Sequence, residues 1–471
     1  MSRPSPRSSI HAHRMPPMTN WRRVLIVGGT AIGLIAATTI GAAVAMTGGG
    51  SGAGDSTDGA EPTAGSPAAA TETVASPTPS PSPTEAATSA APEGDGMCDR
   101  APAAGPDVTV TAVDANVIGA GGEGDTDPLP AAIAAAPDGR SWLAWDGTDD
   151  RIHLARLDCG DAIDGEPFDL EGIDLQDVIA DADGVTVLVT REGDCGDGPL
   201  CGGESSPCRT MHMVRFDNEG AQVWERQVTN LGDGRSGYDD GARFVWWYQH
   251  HGRLASDGAN TAAYFGVAIT VANGDCVDIH EGDRMQVVDP GGGLADHPDA
   301  FAVGCSHSWT ARIAWNADRD EFGMVCATDN QCRIAIPAYT TVAPGECDGS
   351  LFGGDLVAVG DGYWTAWSQG GRARLEHFTD GPSDTTVDTG ADTSHPHLVA
   401  YGDDLLLAWE TGDGMTAQVR DAGSGSPIGD PFDIDVPDHD YQAFKAYPDG
   451  SAAYPAADDG AIRIARVMPL G

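Results

Sequence analysis

A degenerate repeat begins near Ala132 and returns as seven copies before the C-terminus. Its clearest copies run Asp355 to Trp367 (DLVAVGDGYWTAW) and His397 to Trp409 (HLVAYGDDLLLAW). Each reads as an apolar strand carrying an Ala, a tight Asp/Gly turn, and a second apolar strand that ends in Ala-Trp or a variant. Aligned on the Ala before the turn, the copies fall at Ala135, Ala180, Ala255, Ala314, Ala358, Ala400 and Ala446, with gaps of 45, 75, 59, 44, 42 and 46 residues. Four gaps agree closely, and the third and fourth units carry insertions. A period of about 40 to 45 residues with several short strands per unit is the signature of a β-propeller.

The turns are Pro137-Asp138-Gly139, Asp183-Gly184, Asp257-Gly258, Asp361-Gly362 and Asp449-Gly450. Asp-Gly between apolar runs is a hairpin signal, because Gly accepts positive φ. A third strand alternates with period two, as in Ile152 to Leu157 and Ile462 to Val467. A fourth repeats almost literally, as Glu166 to Leu170 (EPFDL) and Asp430 to Ile434 (DPFDI). The expected fold is therefore all-β, a seven-bladed β-propeller with four strands per blade; a six-bladed ring is the alternative. The last unit stops after its third strand. Asp107 to Val113 (DVTVTAV) alternates well and is expected to supply the missing outer strand, closing the ring and removing an open edge.

The N-terminal part is organised differently. Residues 1–23 carry five Arg and no acid, residues 24–46 are uncharged and mostly apolar, and residues 47–97 are rich in Gly, Ser, Thr, Ala and Pro. The apolar stretch is long enough to cross a bilayer as a helix. The basic flank before it puts the N-terminus in the cytoplasm. A cleaved signal peptide is the rival reading, with Ala43-Val44-Ala45 as the small-residue site. Residues 47–97 cannot bury a core and are expected to be a disordered, semi-extended spacer. Residues 98–471 then form an extracellular or periplasmic propeller ectodomain, tethered to the cell membrane by a single-pass helix.

From residue 24 onward, 71 acids stand against 21 basic residues, and Lys445 is the chain's one lysine. Such an acidic surface excludes nucleic acid as a partner class. All ten Cys lie beyond the span, so disulfides are expected. Cys98 and Cys159 would tie the domain entrance to the first blade. A local bridge between Cys326 and Cys332 is expected across a hairpin tip, and Cys276 and Cys305 bracket one insertion. Cys195, Cys201 and Cys208 share a Gly/Pro-rich loop with no zinc spacing.

The candidate site comes from a break in the repeat. Two residues before the aligned Ala stand Ile133, Val178, Leu356, Leu398 and Phe444 in five units, but Arg253 and Arg312 in units three and four. Arg at equivalent places in adjacent blades should lie close together. A planar donor fork suits carboxylate, sulfate or phosphate. His251 precedes Arg253, and His307 precedes Arg312. His395 and His397 open the sixth unit, and the third-unit insertion adds His280, Glu281, Asp283 and Arg284. Together Arg253, Arg312, His251, His307, His280, Asp283 and Arg284 make a candidate polar-ligand pocket for a glycan or a cell-surface protein. The plainer reading is that each Arg pairs with a neighbouring Asp inside the channel.

No cofactor is expected. His250, His251, His280, His307 and Asp283 are metal-ligand types without HExxH or paired Cys/His spacing. Ca2+ is better placed, at Asp-rich turns such as Asp146 to Asp150, but none completes an EF-hand loop. No G-x-S-x-G elbow is present. A glycosidase acting on an anionic sugar would need a carboxylate pair, for which Glu281 and Asp283 are the candidates. A structural or adhesive module without a concave site is the third alternative.

The segments His251 to Tyr264 (HGRLASDGANTAAY), Ile279 to Val288 (IHEGDRMQVV) and Gly304 to Ile336 resemble a family of uncharacterised bacterial exported propeller proteins. The resemblance covers the third and fourth units. It implies the fold and an exported location, and it implies no activity.

Overall fold

The computed structural model describes residues 97–118, 129–193, 209–229, 244–245, 252–274, 276–305, 308–337, 339–412, 414–458 and 460–471. The expected membrane span at 24–46 and the spacer lie outside the described residues, as do His251, His307 and Cys195, Cys201 and Cys208. No helix among the described residues is long and apolar enough to cross a membrane.

The described strands form seven antiparallel sheets, and each is a blade. The inner strands are Ala131–Ala135, Asp174–Asp181, Arg253–Ser256, Ser308–Asn316, Phe352–Val359, Pro396–Tyr401 and Lys445–Ala446. Each inner strand lies beside the next, and the seventh returns to the first. The protein is an all-β, seven-bladed β-propeller.

The alternation of each strand explains why the ring holds. Side chains of a strand point to opposite faces in turn, so a blade presents two apolar faces. In blade one, Trp142 and Ala144 pack toward blade two, while Leu143 and Trp145 pack toward blade seven. In blade six, Leu406 and Ala408 face blade seven, and Leu405, Leu407 and Trp409 face blade five. The core is thus a series of slabs between blades rather than one central mass.

Closure follows the expectation. Val108–Val113 pairs antiparallel with Ala461–Val467, in unbroken register from Val108↔Val467 to Val113↔Ile462. Blade seven is therefore built from both ends of the domain. The Cys98–Cys159 disulfide pins the entrance to blade one. Arg466, 1% exposed, holds Asp161 of blade one through both carboxylate oxygens. Its guanidinium lies over the Tyr447 ring, 4.0 Å from the centroid.

Two expectations need correction. Blade three has three strands among the described residues rather than four. Its second and third strands, Thr261–Asn273 and Cys276–Val288, form a hairpin of 13 residues a side. In place of a fourth strand, the bridges Met285↔Phe301 and Val288↔Leu294 run beside it. The second correction concerns the cysteines. Cys326 bonds Cys305, and Cys332 bonds Cys347. The residue opposite Cys326 in the hairpin is Ala335, so Cys332 sits in the turn, out of line with Cys326. Cys276 is also disulfide-bonded.

Candidate functional site

The inner strands set the geometry of the channel. Buried residues three places before the aligned Ala stitch neighbouring blades together. The Asp177 carboxylate accepts from the Leu254 N–H at 2.9 Å, and that of Asp355 accepts from the Leu398 N–H at 3.2 Å. At the adjacent position lie Arg253 and Arg312, 5% and 3% exposed. Both line a channel cavity of about 280 Å³, together with Asp355, Leu356, Phe444 and Lys445.

The two arginines are held differently. Arg312 Nε lies 3.4 Å from Asp355 Oδ1, and its guanidinium donates to the Ala311 carbonyl at 3.0 Å. Burial, and next the charge of Arg253, lower the Arg312 pKa to about 9. Arg253 donates only to backbone carbonyls: Gln176 at 3.5 Å, Gly252 at 3.1 Å, and Tyr441. No carboxylate among the described residues lies within ion-pair distance of it. The Nε–H of each arginine is buried without an acceptor.

Behind Arg312 runs a chain of charges. His397, 2% exposed, lies 3.6 Å from Asp355 and 2.7 Å from Asp438. Burial alone would lower its pKa; the charge of Asp438 and the bonds to both carboxylates raise it instead to about 10. Asp355 is likewise pushed up by burial, but His397 and Arg312 hold it down at about 2. Lys445 Nζ meets Asp177 at 2.7 Å. Each of three cations thus has its own carboxylate: Arg312 with Asp355, His397 with Asp438, and Lys445 with Asp177. Within this cluster Arg253 is the unmatched charge, which leaves the cluster one unit positive in a chain of net charge −45; among the described residues, Arg284, Arg333 and Arg420 are likewise buried without a carboxylate elsewhere.

Among the described residues, burial differs between the two ends of the cavity. At the strand-start end, the side-chain carbonyl of Gln176 accepts from the Gly252 N–H at 3.0 Å, and Phe352 packs between His395 and Tyr441. Toward the turns, burial relaxes, and Ala314, Ala358 and Ala400 are only half-buried where they line the cavity. The small aligned side chain keeps that end wide.

The remaining candidates among the described residues do not join this cluster. Asp283 is fully buried between blades three and four, where the Tyr264 hydroxyl donates to it. Burial pushes its carboxyl up to about 8. Arg284 points to the opposite face of the same strand, donating to the Val228 carbonyl of the blade-two segment at 2.8 Å. His280 pairs opposite Ile269 farther out on the long hairpin. Asp283, Cys305 and Cys326 bring their ligand atoms within 4.8 Å of one another, but the two sulfurs are bonded to each other and are spent as metal donors. In the Asp-rich turn, Asp146 is raised to about 7 by burial and by Asp174 and Asp150, yet those carboxylates do not gather into a three-ligand group.

Sequence reasoning placed Arg253 and Arg312 but left Asp177, Asp355, Asp438 and Lys445 outside the site, and named His397 only as a strand start. A signal was present for three of them. Three residues before the aligned Ala stand Ala132, Gly252, Ala311 and Ala443 in four blades, but Asp177, Asp355 and His397 in the others.

No protein-family model and no curated protein matches the chain. Among solved structures, it is similar to a PQQ-bound aldose sugar dehydrogenase from Streptomyces coelicolor, at 14% identity and TM-score 0.38, over 78% of this chain and 99% of that one. The apo soluble aldose sugar dehydrogenase of Escherichia coli gives 12% identity and TM-score 0.39, over 77% and 100%. A chain of the mitotic checkpoint complex gives 12% and 0.40, over 83% and 99%. Likenesses this distant carry no argument about what the channel holds.

Proposed function

We propose that the protein is a binding protein, a surface-tethered propeller whose channel holds an anionic group of its ligand at Arg253 and Arg312. The single observation that carries this reading is the buried Arg253 charge. A buried cation without a carboxylate is costly, and a bound anion relieves that cost. The free Nε–H of Arg253 supplies a donor for such an anion. The three described disulfides suit an exported domain. A glycan acid or an acidic terminus on a surface protein carries the required group. The hydrolase alternative has less support, because Asp355 is the one carboxylate lining the cavity among the described residues, and Arg312 and His397 engage it.

Lys445 offers a direct test, being the chain's one lysine and a cavity-lining residue. The full-length protein is treated with an amine reagent with and without a panel of small carboxylates and sulfate, and labelling of Lys445 is read by peptide mass. At least one anion is expected to protect Lys445. In Arg253→Gln the concentration needed for protection should rise roughly 10- to 100-fold, the scale of a lost charged hydrogen bond of about 1.5–3 kcal/mol. Labelling that no anion alters overturns the reading.

A further inference from the structure

The turn between inner and second strand carries an acid in every blade: Asp138, Asp183, Asp257, Asp318, Asp361, Asp403 and Asp449. These seven turns ring the wide mouth of the channel. Two of the acids are answered locally, Asp449 by Arg100 at 2.9 Å and Asp138 by Arg140 at 4.0 Å. Arg319 and Arg215, further cations beside these turns, are taken by Glu321 and Asp380 and by Asp181. Asp183, Asp257, Asp318, Asp361 and Asp403 make no ion pair among the described residues, and four of them are exposed while Asp257 is half-buried.

The channel is therefore polarised along its axis. Its floor holds Arg253 and Arg312 with unsatisfied Nε–H groups, and its open mouth is acidic. A simple anion entering by this mouth meets a repelling field, because a channel with low-dielectric walls focuses the charge at its rim. A cation is drawn to the mouth but meets two arginines below. Only a molecule with both charges satisfies both zones.

We infer that the channel takes a dipolar ligand, with a carboxylate on Arg253 and Arg312 and a cationic group at the acidic mouth; this rests on the anion-binding reading of the floor. Five residues separate the arginine level from the turn acids in blade five, Leu356 to Asp361. At about 3.3 Å per residue, the two zones lie on the order of 15 Å apart. That spacing is too long for a free amino acid. It fits a short basic peptide with a free C-terminus, since three extended residues span about 10 Å and a lysine side chain adds the rest. The inner strands are edge strands of their sheets.

The test compares the tripeptides Lys-Gly-Gly, Glu-Gly-Gly and Lys-Gly-Gly-amide on the full-length protein, by calorimetry and by protection of Lys445 from labelling. Lys-Gly-Gly is expected to bind at least tenfold more tightly than either of the others. Asp361→Asn combined with Asp403→Asn should shrink its advantage over Glu-Gly-Gly severalfold, whereas Arg253→Gln should remove its advantage over the amide. Rising salt should weaken the lysine preference first. Glu-Gly-Gly binding as tightly as Lys-Gly-Gly overturns the dipolar inference but leaves the anion site standing. Failure of all three peptides, with a simple carboxylate still protecting Lys445, also overturns it. If neither peptides nor carboxylates protect Lys445, the anion site itself falls.

Discussion

At the scale of single residues, the buried charges of this propeller divide into those that support the fold and those that strain it. His397 supports it. Its pKa stands at about 10 against an ordinary 6.5, so its contribution is full below about pH 6.5 and is lost as pH rises through about 10. Asp355, held at about 2, contributes above its ordinary range and loses that contribution as pH falls through about 2. Replacing His397 by Gln leaves Asp355 and Asp438 facing each other in a buried site, and is expected to cost about 3–5 kcal/mol near neutral pH. Denaturant midpoints across pH 7 to 11 check this; a variant as stable as the parent rules out the charged bridge. Asp283 works in the opposite sense. With its pKa raised to about 8, the folded state prefers the protonated acid, and stability falls as pH rises toward that value. Asp283→Asn should therefore raise the midpoint most near pH 9, less near pH 6, and change it little near pH 4. Arg253 and Arg312 were legible because they interrupt an apolar column. Asp438 was not, since it lies outside the repeat and meets His397 only through the fold.

At the scale of elements, the blades were legible wherever local chemistry alone decides the conformation. Ile152–Leu157 forms a strand at the expected bounds, and the segment expected from Asp107 forms one over Val108–Val113. Blade three was not legible in full, because Thr261 to Val288 (TAAYFGVAITVANGDCVDIHEGDRMQVV) encodes two long strands where the other blades encode shorter ones. Cysteine pairing failed for a related reason. Nearness in sequence suggested Cys326–Cys332, but strand register put Ala335 across from Cys326 and freed Cys332 for Cys347. Cys98–Cys159 succeeded because both ends sit at the domain entrance. That bridge closes a loop with a sequence separation of 61, and replacing both cysteines by Ser is expected to cost about 2–4 kcal/mol. Equilibrium unfolding under oxidising conditions measures it; an unchanged midpoint shows that strand pairing alone holds the entrance.

At the scale of the whole molecule, charge and topology dominate. A net charge of −45 destabilises a compact state through self-repulsion. Raising salt to about 1 M shortens the screening length to about 3 Å, so the melting temperature should rise with salt. A flat or falling response would mean that local ion pairs outweigh the global repulsion. The ring itself was predictable because a repeat of this period has few ways to bury its faces, whereas the polarity of the channel emerged only once seven turns were seen to share one rim. The shared seventh blade has a further consequence, in time rather than in space. A ribosome makes Val108–Val113 long before Ala461–Val467, so the first strand of the domain must wait, unpaired, for the last. Pairings this distant in sequence make folding slow and leave strand edges exposed meanwhile. The newborn chain should thus acquire its final form in one late, cooperative step, and a chain cut short before residue 461 should be degraded or aggregate rather than settle as a six-bladed remnant.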